Sequence, residues 1–381
     1  MTERASAADA ALSRVSGLGK PGRILAPTID LLRSEPLATV ATWQQTARTV
    51  EWGPAVRRHV YWRIWADAAD RLGAHPVPLA DDFIAIERGT ARTIVSYQQV
   101  QLDNAVDLLV ALHRGIVHQR LGALGIPVAT YTEFAYDEVA RARAFLERCA
   151  PCVIKPANGT SGGDGVTCGI ETVRQLDRAL LWARRWDPHH AVIEQQAKGD
   201  EYRLLFLDGE LLGVVRRRPP AVVGDGRAKT VRLLAAENRR RAESDGRLGM
   251  SPVNVDLDCI LALERGGYTL RSAVPAGRRV ALKAMVNQSG AADTDTVPRR
   301  DVSEALIRSA AASAKAAGVR LASVEVITPD PTRALEDTGG VVLEVNGTPG
   351  LHYHYIVSDP ACVVPVAVPI LERLLGTVGT G

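Results

Sequence analysis

The stretch CVIKPANGTSGGDGVT, residues 152–167, places a short apolar run ending in Lys155 directly ahead of four glycines within seven residues. Glycine lets backbone N–H groups approach an anion closely, so a loop of this composition points to phosphate. Two familiar templates fail on it. A Walker loop carries its lysine after the glycines, whereas Lys155 precedes them. The dinucleotide fingerprint needs a third glycine where Cys168 stands. The segments on either side must therefore say which phosphate is held, and for what chemistry.

Upstream, AVDLLVALHRGIVHQRLGALGIPV (105–128) reads as one helix stopped by Gly125 and Pro127. TEFAYDEVARARAFLERC (132–149) reads as a second helix, followed by the strand PCVIKP. Downstream, Thr172 and Gln175 form a capping box ahead of VRQLDRALLWARRW. The second half is richer in strands. AVIEQQ leads to two runs joined by Asp208-Gly209, a strong hairpin signal, and a helix follows around TVRLLAAENRRR. The strand VALKAMV then precedes the helix DVSEALIRSAAASAKAAG, with Asp301 and Glu304 as its expected cap. LASVEVITP and GGVVLEVNG close the set as strands before a C-terminal helix. Hairpins mixed with helices imply an α+β architecture instead of a doubly wound parallel sheet. Residues 1–105 carry four of the six tryptophans but no chemical motif, although HVYWRIWADAADRLG reads as a helix and DDFIAIERG as a strand.

Bulk properties narrow the function classes. At 381 residues, 46% apolar and 23% charged, the chain reads as an ordinary globular protein of two or three packed units. The formal charge of +3 and the short arginine runs, without interleaved aromatics, argue against nucleic acid as a partner. Only six of the 46 basic residues are lysines, which makes Lys155 beside the glycines a selected residue. The most apolar stretch, ACVVPVAVPIL, is too short to span a bilayer and holds two prolines. Five cysteines without framework spacing imply a reducing compartment, and the expected location is cytoplasmic. Cys149 and Cys152 spell a C-x-x-C, which reads as a helix end and a strand start more readily than as a redox dithiol.

Three oxygen-bearing side chains supply the second clue. Glu344 and Asn346 stand two apart in a strand and share a face, and Glu325 lies in the neighbouring strand-like run. Carboxylate and amide oxygens so placed suit Mg²⁺, or Mn²⁺, bound beside substrate phosphates.

Taken in order, the lysine with its Gly-rich loop, EQQAKGDEYRLL, RRPPAVVGDG, VNQSGAADTD and VITPDPTRALEDTGGVVLEVNGTPGLHYH resemble the ATP-grasp ligases. The likeness is to the ATP-grasp parts of cyanophycin synthetase and the bifunctional glutathione synthetase, more distantly to D-alanine–D-alanine ligase, and covers roughly residues 105–360. It implies two α+β lobes clasping ATP, a first lobe over 106–190 with the Gly-rich lid, a second over 191–381, and a smaller N-terminal domain over 1–105. It implies that Arg114 and Lys155 reach phosphate, with Gly162 and Gly163 in the lid. Glu194 and the backbone at Gln195 and Ala197 would read adenine, and Glu201 the ribose. Arg217, Lys283 and Asn287 are candidates to act on the transferring phosphoryl group. Glu325, Glu344 and Asn346 would hold the metal, and Arg203, Ser289 and His354 would line the substrate pocket.

The sequence departs from the family pattern at four places. Arg114 and Lys283 exchange one cation for another, and Glu325 replaces an aspartate, moving an ion by one C–C bond, ~1.5 Å. GAADTD (290–295) replaces a Thr-Gly-Gly turn near the acyl substrates, so substrate choice should differ. The implied activity is ATP-dependent amide formation between a carboxylate and an amine, amino acids or small peptides, through an acyl phosphate with release of ADP. A non-catalytic ATP-binding module and a phosphotransferase are the alternatives. Neither nucleic acid nor membrane is an expected partner, and a homodimer is one option for the assembly.

Overall fold

The computed structural model describes residues 54–157, 163–243, 252–284, 286 and 293–376. It opens with the helix α1 (Pro54–Arg71) and the strands β1 (His75–Ala80), β2 (Phe83–Arg88), β3 (Ala91–Ser96) and β4 (Gln99–Val100), an antiparallel meander in chain order. Helix α1 buries Tyr61, Ile64, Trp65 and Ala68, the spacing of a single apolar stripe.

The long helix expected over 105–128 is broken. Helix α2 (Ala105–Leu112) ends and α3 (Arg114–Ala123) begins at His113, whose backbone is extended. The His113 ring accepts from the Ile116 N–H at 3.4 Å, so the break is itself capped. Its consequence is to set Arg114 in the first turn of a new helix.

The first lobe contains β5 (Tyr131–Ala135), α4 (Val139–Cys149), β6 (Cys152–Pro156), β7 (Thr167–Ile170), α5 (Val173–Ala183) and β8 (His190–Gln195). Its sheet runs β5-β8-β6-β7, with every neighbour antiparallel. The residues of β5 had read as part of a helix, but pairing with β8 overrides that local preference. Strand β8 lies between β5 and β6, although all but its first residue fall within 191–381, the range the sequence reading gives to the second lobe. Phe145, Leu146, Leu176 and Leu180 close the core over this sheet, and Thr172 with Gln175 forms the expected capping box.

The second lobe follows with β9 (Asp200–Leu207), β10 (Glu210–Arg218), β11 (Ala221–Val223), α6 (Thr230–Glu243), α7 (Leu257–Arg265), β12 (Arg279–Ala281) and β13 (Asp293–Val297). Then come α8 (Glu304–Ala317), β14 (Leu321–Thr328), the single turn α9 (Leu335–Thr338), β15 (Val341–Asn346) and α10 (Ala367–Leu375). Asp208 and Gly209 both take positive φ, 50° and 85°, as a tight hairpin demands. The cap of α8 is Ser303, which accepts from Leu306 N–H at 3.1 Å; Asp301 lies in the preceding 3₁₀ turn.

The central sheet, β13-β10-β9-β14-β15, is antiparallel throughout, and its alternation positions the site. Tyr202, Leu204 and Phe206 of β9, with Ala322, Val324 and Val326 of β14, face a core closed by α3 and α8. The opposite face is divided along its length. Leu205, Leu207 and Leu321 are covered by α1 and α10, while Glu201, Arg203 and Glu325 occupy the other end. A fourth core joins α6 and α7 to β11 and β12 through Val222, Leu234, Cys259 and Val280.

Candidate active site

A cavity of about 600 Å³ lies between the first-lobe sheet and the charged end of the central sheet. From the first lobe come Lys155 on β6 and Glu194 on β8, and Arg114 joins them from the start of α3, which packs on the central sheet. Lys155 and Arg114 both pair with the same oxygen, Glu194 Oε2, Arg114 at 2.8 Å. Burial lowers the Lys155 ammonium pKa below its ordinary value, against the pull of Glu194. Burial alone would raise the Glu194 carboxyl, but Lys155 and Arg114 outweigh it and hold the pKa down. Two cations therefore share one carboxylate at the cavity wall, a site with net positive charge. Gln195, Ala197 and Gly163 also line it.

From the second lobe come Glu201, Arg217 and Glu344. Arg217 is fully buried and donates from Nε to Glu201 Oε1 at 2.6 Å and from Nη2 to Glu325 Oε2 at 3.1 Å. Arg203 pairs with Glu325 Oε1, its direct cross-strand partner, and Asn346 Nδ2 donates to the same oxygen at 2.9 Å. Beneath both guanidiniums lies the Tyr353 ring, with Cζ of Arg203 4.4 Å and of Arg217 4.9 Å from its centroid. Burial opposes the Glu325 charge, but Arg203 and Arg217 hold its pKa below the usual range. Glu201 goes the other way. Burial, aided by the Glu325 charge and opposed by Arg217, pushes it up to about 7. Glu344, the cross-strand partner of Glu325, is raised by burial and by the charge of that neighbour. Among the described residues no three His, Cys, Asp or Glu side chains converge as a metal cluster.

Several expected site residues stand elsewhere. Lys283 is buried with its ammonium on Asp256, and it does not line the cavity. His354 packs behind the sheet, where a Cβ added at Gly213 would meet its Nδ1 at 3.1 Å. Arg203, Glu325 and Asn346 sit behind the cavity wall that Glu344 forms. Gly162, Asn287 and Ser289 lie outside the described residues, as do 290–292 of the GAADTD turn. The five cysteines are free, and burial pushes Cys152 up to about 12, which makes it an inert strand residue.

Two cavity or near-cavity residues escaped the sequence reading. His118 lines the cavity from α3, edge-on to Tyr131, and burial lowers its pKa to about 4. Its Nδ1 has no hydrogen-bond partner among the described residues. Tyr353, inside a motif quoted for its histidines, supports both arginines. A helix period drawn from Arg114 would have found His118, one turn along; nothing in the sequence marked Tyr353.

Two lobes of mixed helix and antiparallel sheet, closing on a polar cleft, are the ATP-grasp fold. The solved bifunctional glutathione synthetase from Pasteurella multocida shares it, with a TM-score of 0.52 and 23% identity over 81% of this chain and 44% of that one. In sequence the chain resembles the cyanophycin synthetase of Geminocystis herdmanii, 30% identical over 258 residues, 67% of this chain and 29% of that protein. It likewise resembles the glutathione biosynthesis bifunctional protein of Streptococcus mutans, 30% identical over 295 residues, 73% of this chain and 37% of that protein. The chain thus spans about a third of the length of these curated relatives. No family model matches it. No helix among the described residues is long and apolar enough to cross a membrane.

Proposed function

We propose that the protein is an ADP-forming ligase that joins a carboxylate to an amine, amino acids or small peptides, through an acyl phosphate. The observation that carries this reading is the meeting, at one cavity, of the Arg114–Lys155 pair with Glu344, whose cross-strand partner Glu325 lies directly behind the wall. Nucleotide phosphates suit the first, because their charge can replace Glu194 as counter-ion to two cations. The second fits a divalent cation. Glu344 and Glu325 repel each other, and Asn346, donating through its amide nitrogen, keeps its oxygen as an acceptor.

When bound, Mg²⁺ supplies charge neutralisation on the transferring phosphoryl group. The chain's own residues do the rest. Lys155 and Arg114 orient the phosphates, Arg217 adds a fixed positive charge near the wall, and the lobes exclude water. Among the described residues lining the cavity there is no Ser or Thr, and a direct attack of amine on acyl phosphate requires no protein nucleophile. Five free thiols, three of them buried, agree with a reaction in the reducing cytoplasm.

One observation favours the non-catalytic alternative: arginines already engage both oxygens of Glu325. Glu344→Gln separates the two readings. A ligase should lose at least about 100-fold in ADP release with amino-acid pairs, by analogy with losing one electrostatic stabiliser, while still binding ATP. Mass analysis of the wild-type product identifies the amide. Absence of ADP and of any condensed product across the panel, with ATP bound, would sink the ligase reading.

A further inference from the structure

None of the described residues of the N-terminal unit lines the cavity, yet one of its side chains reaches the charged centre behind it. Tyr61 on α1 is 1% exposed, and its hydroxyl shares a hydrogen bond of 2.9 Å with His352 Nδ1. The His352 ring lies against that of Tyr353, with centroids 4.1 Å apart and planes tilted by 38°. Tyr353 is the ring under Arg203 and Arg217, and those arginines hold Glu325. Contacts thus run unbroken from helix α1 to the carboxylate pair.

The hydroxyl is what needs explaining. Around it, Val60, Ile64 and Trp65 of α1 are apolar and buried, and a phenylalanine at position 61 would serve that core equally well. The other polar atom of the histidine, Nε2, has no partner among the described residues. Among the described residues Tyr61 therefore makes the sole hydrogen bond to that imidazole, and it fixes the ring's rotation against Tyr353. Burial keeps the imidazole neutral, its pKa well below the ordinary value, so it is a hydrogen-bonding and stacking group and not an added charge.

We propose that Tyr61 and His352 are positioning residues through which the N-terminal unit sets the Arg203–Arg217 pair on Glu325, and so tunes the cation affinity of the neighbouring Glu344 side. The proposal rests on the reading of this cavity as a site for ATP and a divalent metal. The test measures ATP affinity by calorimetry, with and without Mg²⁺, for wild type, Tyr61→Phe and Tyr353→Leu. Outer partners of this kind are worth about 10- to 100-fold in metal affinity. Tyr61→Phe should reduce the Mg²⁺-dependent gain in ATP affinity about tenfold, leave the affinity without Mg²⁺ unchanged, and barely move the thermal midpoint. Tyr353→Leu should do the same or more. A wild type whose ATP affinity ignores Mg²⁺ refutes the metal reading itself. A normal Mg²⁺ response in wild type, reproduced by both variants, overturns the positioning role. So does a loss of affinity equal in both conditions and in step with a lowered midpoint, which is general loosening.

Discussion

Glu325 and Glu344 differ in what surrounds them, not in what they are. Both are glutamates opposite one another on adjacent antiparallel strands, but two guanidiniums depress the first while burial and that neighbour raise the second. Removing Arg217 would leave the buried Glu201 carboxylate without its partner, which costs about 3–5 kcal/mol, and removing Arg203 would leave Glu325 to Arg217 and Asn346 alone, so the arginines are poor choices for probing chemistry. Histidines give a cleaner residue-scale prediction. Burial lowers His118 to about 4 and His354 to about 3, and it lowers His352 well below its ordinary value. These rings are neutral in the folded chain but protonate near pH 6.5 once unfolded. The unfolded state thus binds more protons as pH falls from 6.5, and stability falls with it. The contribution of His354 is complete above that value and is lost on descent toward about 3. His354→Asn should therefore flatten the fall in thermal midpoint between pH 6.5 and 4. Superimposable pH curves for variant and wild type would contradict the assignment.

At the scale of elements, short breaks decide where the chemistry stands. The extended backbone at His113 turns one predicted helix into two and delivers Arg114 to Glu194. A similar role falls to Gly199, between the backbone at Ala197 and the start of β9. Its φ is +119°, and an added Cβ would lie 2.2 Å from the Thr328 carbonyl carbon. Neither a left-handed backbone nor that approach suits any other residue. Gly199→Ala should cost at least about 2 kcal/mol of stability and weaken ATP binding by displacing Glu201, as denaturant titration and calorimetry would measure. An unaltered denaturation midpoint would mean that β9 and β14 can separate freely there. The helix break and the strand β5 were not legible in the sequence, because their partners, Glu194 for Arg114 and β8 for β5, lie more than 50 residues away. Capping residues were more legible, as with Thr172 and Gln175, since their hydrogen bonds are local. The cap of α8 was misread by two residues because serine and aspartate both suit that role.

Across the whole molecule, one sheet serves three neighbours. One face of β9 packs on α3 and α8, and the other shares a core with α1, β2, β3 and α10. The N-terminal unit is therefore joined to the second lobe by buried apolar surface, not tethered beside it. Trp65→Ala, at a fully buried position on α1, should cost about 3–5 kcal/mol and lower hydrogen-exchange protection in β9 as well as in α1. Loss confined to α1 would show that the two unfold independently. By itself, the sequence determined the α+β class, the hairpin at Asp208-Gly209 and the shared face of Glu344 and Asn346. These follow from backbone preferences and periodicities within a few residues. Only the tertiary structure decided that Lys155 and Arg114 share Glu194, that Lys283 pairs with Asp256, and that Arg203 and Arg217 saturate Glu325. Strand register and lobe packing choose which charges meet, and that choice depends on contacts between residues far apart in the chain.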